Sequence, residues 1–295
     1  MTRRDVADLL LLAALWGGSF LFMRVAAPHF GALPMAALRV AGAALLLTPL
    51  LAVRGGFGHL RRHWRPIACV GITNSALPFL GFSFAALSIP AGLSSILNAT
   101  SPMFGALIAM LWLREPGSRL RTAGLALGFL GVVTLAWDAA HPRAGLQDSG
   151  TAIIVCLAAS ALYGFSACFA RRYLVGVQPL AVATGSQIAA AAALALPAAW
   201  TWPPRPAPAG AWLAVLALAL LCTGLAYVLY FRLIARIGPA RAITVTFLVP
   251  AFAMLWAALL LGEPITLGML GTTVLILAGT GLATGLLQWP LRRPR

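Results

Sequence analysis

The fold is decided by a stretch of sequence that occurs twice. Residues 102–116 read PMFGALIAMLWLREP, and residues 250–264 read PAFAMLWAALLLGEP. The two segments align without a gap at an offset of 148 residues, and eight of the fifteen positions are identical. Leucine and alanine matches carry little weight in an apolar chain, but the repeated proline, phenylalanine and Glu-Pro pair do. The pattern therefore predicts an internal duplication.

Further matches extend the duplication outward from this segment. At the same offset Ser75 aligns with Thr223 and Ile89 with Ile237, and at an offset of 147 the matches are Gly17 with Gly164, Ser19 with Ser166 and Arg24 with Arg171. We therefore expect a first repeat over residues 1–138, an outer linker over 139–149 and a second repeat over 150–295.

The composition places these repeats in a membrane. Hydrophobic residues make up 61% of the 295 residues and charged residues 9%, with a mean hydropathy of +0.93. A soluble domain carries about 25% charged residues, and a membrane-spanning helix needs about 20 apolar residues. The apolar stretches predict ten transmembrane helices, at residues 6–27, 34–53, 66–88, 91–113, 119–138, 150–172, 178–200, 210–234, 239–261 and 267–288.

The basic residues predict the orientation of these helices. All 21 are arginines, which give the chain its net charge of +15. Nearly all of them lie in short segments between apolar stretches, and this placement disfavours a nucleic-acid-binding surface. If the N-terminus is cytoplasmic, seventeen arginines fall in inner segments and three in outer segments. Cytoplasmic loops carry the excess of positive charge. We therefore expect a multi-pass protein of the bacterial inner membrane with both termini in the cytoplasm.

Five helices per half is an odd number, so the two halves must have opposite orientations. The loop at 114–121 holds three arginines, whereas its equivalent at 262–266 holds none. This difference is expected if one loop is cytoplasmic and the other is not. Inverted repeats of this kind are typical of alternating-access transporters, whose substrate site lies near the midplane between the repeats.

Several segments resemble the EamA family of the drug/metabolite transporter superfamily. They are Trp16–Phe20, Arg39, the run Pro90–Ser95 that continues to Pro102, and the Glu-Pro pairs that end the fourth and ninth helices. The resemblance covers essentially the whole chain. It implies an all-α membrane protein of ten helices in two inverted five-helix repeats around a central cavity, and export of amino acids or other metabolites. The sequence is also similar to the aromatic-amino-acid exporters of this superfamily.

Polar and aromatic residues in the middle of the predicted helices are the candidates for substrate binding. Pro102 and Pro250 each free the carbonyl four residues earlier, and a broken helix can offer polar backbone to a solute. Mid-span aromatic rings can stack on a flat solute. The alternative is ordinary helix packing, with hydroxyls bonded to their own helix. The candidates are Trp16, Ser19, Asn74, Asn98, Tyr163, Ser166, Thr223, Tyr227 and Thr246.

A second set of residues is expected to act in gating or as hinges. It comprises Pro102, Pro250, Arg39, Glu115 and Glu263. Arg39 is the single charge well inside a predicted span, and we favour a structural or gating role over substrate contact, with snorkelling as the alternative. The two glutamates end helices on opposite faces of the membrane. For Glu115 we expect an ion-pair network with the arginines of 114–121.

The residue types that are missing restrict the function. No Asp or Glu lies deep in a predicted span and all four histidines lie in loops, so a membrane-embedded hydrolase lacks its catalytic groups. No lysine exists for a phosphate-binding loop. We expect no enzyme activity, metal or cofactor. The four cysteines are expected to be small buried residues.

These observations favour a secondary transporter that exports amino acids or similar neutral or zwitterionic solutes through a neutral, partly aromatic cavity. The alternatives are a broad-specificity drug exporter and, less favoured, a non-transporting membrane enzyme or assembly subunit. The expected partners are a small-molecule solute and the lipid bilayer. We expect a monomer, with a dimer through the Gly-x-x-x-Gly pairs at 124–128 and 281–285 as the alternative.

Overall fold

The computed structural model describes residues 2–140 and 149–286, and every regular element in these two ranges is a helix. The linker residues 141–148 and the C-terminal residues, with Arg143, Trp289 and the last three arginines, lie outside the described residues. The first range contains α1 (Arg3–Phe30), α2 (Ala32–Val53), α3 (Phe57–Arg62), α4 (Trp64–Ala85), α5 (Ala91–Asn98), α6 (Ser101–Trp112) and α7 (Arg119–Ala140).

The second range contains α8 (Ser149–Tyr173), α9 (Pro179–Trp200), α10 (Ala209–Ile237), α11 (Pro239–Ala242), α12 (Val245–Leu261) and α13 (Leu267–Thr284). Among the described residues, eight helical stretches are long and apolar enough to cross a membrane, with α5 and α6 taken as one stretch. The helix α12 is apolar but shorter. The chain is therefore a multi-pass membrane protein, and its described residues form an all-helical bundle.

The predicted fourth and ninth helices are both interrupted. The fourth breaks at residues 99–100, so that Pro102 lies in the first turn of α6, where the missing N–H group is not needed. The ninth breaks at residues 243–244, between α11 and α12. Pro250 lies six residues further on, inside α12. The two prolines are equivalent in sequence but occupy different positions in their helices.

Two other helices contain a wide turn of π-helix. In α4 it covers Ile72–Ala76, and in α10 it covers Ala217–Leu225, which includes the positions 148 residues later. A π-helical turn places one extra residue in the helix and is frequent at functional sites. These two turns carry Asn74 and Thr223, which the sequence predicted as binding residues.

The two halves of the chain pack closely against each other rather than folding side by side. The helix α1 crosses α12 of the other half at Gly17, where an added Cβ atom would lie 2.7 Å from Phe252 Cβ. The helix α6 crosses α8 at Gly164, where an added Cβ would lie 2.8 Å from the carbonyl carbon of Phe104. Both glycines are required because only a hydrogen atom fits between the helix backbones.

The remaining long helices also find their main partners across the halves. The helix α2 packs on α9, and α7 packs on α13. At the second contact Gly128 of α7 meets Gly279 of α13, so the glycine stripe of residues 124–128 is used within the monomer. The largest buried apolar cluster contains residues of both halves.

Candidate functional site

A cavity of about 970 Å³ lies between the two halves. It begins in the middle of the bundle, beside Arg39 and Tyr227, and extends toward the end of the bundle where Glu115 is located. At its mouth are Pro116 and Ser118, which are both exposed. We refer to the two ends of the bundle as the Glu115 end and the Glu263 end.

Most of the residues that the sequence analysis selected line this cavity. Those from the binding set are Trp16, Ser19, Asn74, Asn98, Tyr163, Thr223, Tyr227 and Thr246, and those from the gating set are Arg39, Pro102 and Glu115. Three selected residues are not part of the lining. Ser166 is buried between helices, and Pro250 and Glu263 lie elsewhere in the fold.

The cavity has two aromatic pairs on its wall, and each joins one half of the chain to the other. The ring centroids of Trp16 and Tyr230 are 5.2 Å apart, and those of Tyr163 and Phe82 are 6.1 Å apart. Trp16 aligns with Tyr163 in the sequence repeat, and Phe82 aligns with Tyr230 148 residues later. The two pairs are therefore equivalent contacts. They offer flat apolar surfaces on which a solute can stack.

Two buried hydrogen bonds repeat in the same way. Arg39 Nε donates to Thr223 Oγ1 at 2.9 Å, and Gln187 Nε2 donates to Ser75 Oγ at 2.8 Å. Arg39 and Gln187 are 148 residues apart, as are Ser75 and Thr223. Each bond joins the second helix of one half to a π-helical turn of the other half.

The carbonyl that Pro102 leaves without a backbone partner is bonded by a neighbouring side chain. Asn98 O accepts a hydrogen bond from Ser101 Oγ at 2.6 Å. In the second half, Thr246 Oγ1 donates to Ile243 O at 2.8 Å. These are the local side-chain bonds expected where a membrane helix is interrupted. The side chains of Asn98 and Thr246 are half-buried and line the cavity.

The expectation of a neutral cavity is not met. The Arg39 side chain neither extends to the end of its helix nor leaves the bundle, because it is 6% exposed and lines the cavity wall. Its guanidinium carbon lies 3.7 Å from the ring centroid of Phe79. Such a cation–π contact and the hydrogen bond to Thr223 hold the charge in the middle of the bundle.

Charged side chains form a cluster at the mouth of the cavity. Glu115, three residues after the end of α6, forms ion pairs with Arg171 of α8 and with Arg121 of α7, the latter at 3.1 Å. The bonds from Arg171 and Arg121 lower the pKa of the Glu115 carboxyl, against a raising effect of partial burial. The expected ion-pair network is therefore present, but Arg114 and Arg119 are not among its described members.

The cavity does not reach the Glu263 end of the bundle, because Arg24, Ala91 and Glu263 are not part of its lining. Glu263 forms an ion pair with Arg24 at 3.4 Å and accepts a hydrogen bond from the backbone N–H of Ala91 at 2.9 Å. Arg24 Nη1 also donates to Ala86 O at 2.7 Å. Beside them, the buried ring of Phe30 packs edge-on against Trp212. These contacts join α1, the α4–α5 turn and the end of α12.

The two charge clusters are related by the repeat, although the sequence analysis did not pair them. Arg24 aligns with Arg171, and Glu115 aligns with Glu263, so each arginine binds the glutamate of the other half. The two clusters are not identical, because Arg121, a second partner of Glu115, aligns with Met269. The residue equivalent to Ala91 is Pro239, which has no backbone N–H to donate.

Some residues of the cavity wall were missed by sequence reasoning. They include Phe79, Phe82 and Tyr230 on the wall and Arg171 at the mouth. The repeat offset was the signal that could have found the aromatic residues, because Phe79 aligns with Tyr227 and Phe82 with Tyr230. The described residues contain no group of His, Cys, Asp or Glu side chains that could hold a metal ion.

Comparison with known proteins gives a consistent result. The family model of the EamA-like transporter family matches residues 7–137 and 150–285. The chain is 25% identical to "Uncharacterized inner membrane transporter YedA" of Escherichia coli K12, over 88% of this chain and 83% of the relative. It is 27% identical to "Probable terminal-alkyne amino-acid exporter" of Streptantibioticus cattleyicolor, over 91% of this chain and 89% of the relative.

The fold is also similar to a solved crystal structure. That structure has a TM-score of 0.67 and 20% sequence identity, and the match covers 97% of this chain and 98% of the other. Apolar helices around a central cavity, together with these relatives, define a multi-pass inner-membrane transporter. The chain belongs to the EamA-like transporter family.

Proposed function

We propose that the protein is a secondary exporter of amino acids or similar small metabolites, which works by alternating access. In this proposal α1–α7 and α8–α13 form two inverted repeats, each of five transmembrane helices. The helix pair α5–α6 counts as one span, as does α11–α12, and the six-residue helix α3 is not a span. The family model, which matches each half of the chain separately, supports two repeats of this extent.

The contacts between the halves support an inverted arrangement. Four kinds of contact between the halves occur twice, with the two halves exchanging roles. They are the aromatic pairs, the buried hydrogen bonds, the glycine crossings and the ion pairs. Any two-fold axis between the repeats produces such exchanged pairs. The two equivalent ion pairs lie at opposite ends of the bundle, as an axis in the plane of the membrane requires. Motion of one repeat against the other can then open either end.

The single observation that carries the proposal is that the central cavity reaches only one end of the bundle. It is lined by both halves, open at the Glu115 end and closed at the Glu263 end. With both termini in the cytoplasm, as the arginine distribution favours, the Glu115 end faces the cytoplasm. In this proposal the cavity is that of an inward-facing state, which accepts a cytoplasmic solute.

The chemistry of the wall supports a small polar solute with an apolar part. Amide and hydroxyl groups of Asn74, Asn98 and Tyr227 line the same cavity as the two aromatic pairs. One relative is named as an amino-acid exporter. An organic cation would meet the buried charge of Arg39, which disfavours broad export of cationic drugs.

The test is efflux from proteoliposomes that contain the purified protein and are loaded with radiolabelled amino acids, one at a time. We expect at least one amino acid to leave faster than from protein-free liposomes. Trp16→Ala and Asn98→Ala should reduce that rate about tenfold or more, because each removes a surface of the cavity wall. Ser166→Ala is the matched control, since Ser166 is buried away from the cavity.

Absence of efflux for every amino acid tested would refute the proposed cargo. Wild-type rates in both cavity variants, with correct insertion, would refute the assigned site. A rate that falls equally in Ser166→Ala would show that loss of packing, rather than loss of a cavity contact, is being measured.

A further inference from the structure

Arg39 is a buried cation that faces a solute cavity. Its side chain is 6% exposed, and it lines the cavity near the middle of the bundle. Its described contacts are the hydrogen bond from Nε to Thr223, an approach of Nη1 to Met23 Sδ at 3.6 Å and the ring of Phe79. All three partners are neutral, so they orient the guanidinium without balancing its charge.

None of the described carboxylates forms an ion pair with Arg39. Those that form ion pairs are at the ends of the bundle, each with other arginines: Asp5, Asp8, Glu115 and Glu263. An arginine stays protonated in proteins, and an uncompensated charge away from water is costly. A fork of N–H donors with no acid beside it, in a cavity that admits solutes, matches an incoming carboxylate.

The groups around Arg39 also fit the rest of such a solute. Asn74 Nδ2 lies 3.3 Å from Tyr227 Oη, and both groups line the cavity near the guanidinium. The rings of Trp16 and Tyr163 line the same space. A carboxylate at Arg39 would therefore leave the apolar part of its molecule against aromatic surface.

We propose that Arg39 anchors the carboxylate of the transported solute, and that the cavity takes organic monocarboxylates with an apolar or aromatic body. The class includes both amino acids and simple carboxylic acids, because Arg39 binds the carboxylate and makes no contact that requires an amine. The inference rests on the proposed function only in treating this cavity as the place where cargo binds.

The test is a binding measurement on the purified full-length protein in detergent. The probes are 3-phenylpropionate and its neutral isostere 3-phenylpropionamide, which differ in charge but hardly in shape, titrated by calorimetry. We expect the acid to bind at least about tenfold more tightly than the amide, the usual effect of one charge-assisted bond. Equal affinities, or no binding of the acid, would overturn the proposal.

The variants locate the effect. Arg39→Gln should abolish the preference for the acid, and Arg39→Lys should retain part of it, because lysine keeps the charge but loses the fork. Arg54→Gln, which removes an exposed arginine, is the matched control for net charge. Should Arg39→Gln fail to fold, Thr223→Val removes the acceptor that orients Arg39 and should weaken the acid selectively.

The outcomes separate this inference from the proposed function. A folded Arg39→Gln protein that still prefers the acid overturns the anchor, whatever the transport assays give. Acid binding through Arg39 without efflux of any loaded acid or amino acid would leave the anchor standing and refute the exporter. Efflux of amino acids that is unchanged in Arg39→Gln would support the exporter and refute the anchor.

Discussion

Replacing Glu263 by glutamine is expected to loosen the closed end of the cavity and shift the protein toward its other state. The substitution removes the ion pair with Arg24, whose side chain is 32% exposed against 15% for Glu263. It also turns the bond from the Ala91 N–H to a carboxylate into one to a neutral amide oxygen. A partly exposed ion pair contributes at most about 1 kcal/mol to stability. A hydrogen bond to a charged group contributes about 1.5 kcal/mol.

Because the amide still accepts part of the second bond, we expect a loss of about 1.5 to 2 kcal/mol from the closed end. That is a shift of about ten- to thirtyfold in the ratio of the two states. The bond to Ala91 has no counterpart at the Glu115 end, since Pro239 has no N–H. The loss therefore acts on one state and not equally on both.

The assay is cysteine accessibility. In a protein whose four native cysteines are replaced by alanine, Ala27→Cys introduces a thiol at a fully buried position near the closed end. A membrane-impermeant maleimide added from the periplasmic side should label it about ten to thirty times faster when Glu263→Gln is also present. The rate is measured in right-side-out vesicles, with a permeant maleimide as the control for folding.

Glu115→Gln is the matched control, because Glu115 is the repeat equivalent of Glu263 at the open end. It should not accelerate labelling at position 27. Equal labelling rates with and without Glu263→Gln would refute the closing role of this cluster. Acceleration by both variants would show general loosening instead of a shift between two states.

Two further predictions concern packing and protonation. Gly17→Ala places a Cβ atom 2.7 Å from Phe252 Cβ and should destabilise the protein by about 1 to 3 kcal/mol; the loss is measured as a lower thermal midpoint in detergent. Gly271→Ala, which meets no atom within 4 Å, should not lower the midpoint, and equal losses would contradict the close crossing. Because Arg171 and Arg121 lower the pKa of Glu115, their ion pairs are complete above the ordinary pKa of a glutamate, about 4.3, and are lost only as the pH falls through the lowered value. Efflux between about pH 6 and 8 should therefore have the same pH profile in wild type and Glu115→Gln, and a titration near neutral pH that the variant abolishes would contradict this.

The repeat offset proved to be the most productive sequence signal. It identified Trp16 and Tyr163 as equivalent residues, and both lie on the cavity wall. Applied further, it would also have found Phe82 and Tyr230, because these stand 148 residues apart. The fourth helix is interrupted just before Pro102, since proline cannot continue the hydrogen bonds of the preceding helix. Pro250 has the same chemistry, yet α12 runs through it.

Not all contacts of the charged residues could be predicted from the sequence. Glu115 has arginines close by in sequence, yet one of its partners is Arg171, which belongs to the other half. Arg39 could equally have extended toward the end of its helix, and the fold instead directs it into the cavity. Both outcomes depend on which helices lie side by side and on how each is rotated about its axis. Hydropathy and residue spacing along the chain determine neither the neighbours of a helix nor its rotation.

The sequence by itself determined that this chain is a membrane protein of apolar helices, and it predicted that the chain has two related halves. That follows because about 20 apolar residues per span and a deficit of charge are properties of composition, and a duplication is visible by alignment alone. Only the tertiary structure decided which helices of the two halves pair, which end of the bundle the cavity reaches, and that Arg39 lines the cavity near the middle of the bundle. Those features depend on close glycine crossings and on side chains far apart in sequence, whose contacts exist only once the two halves have packed together.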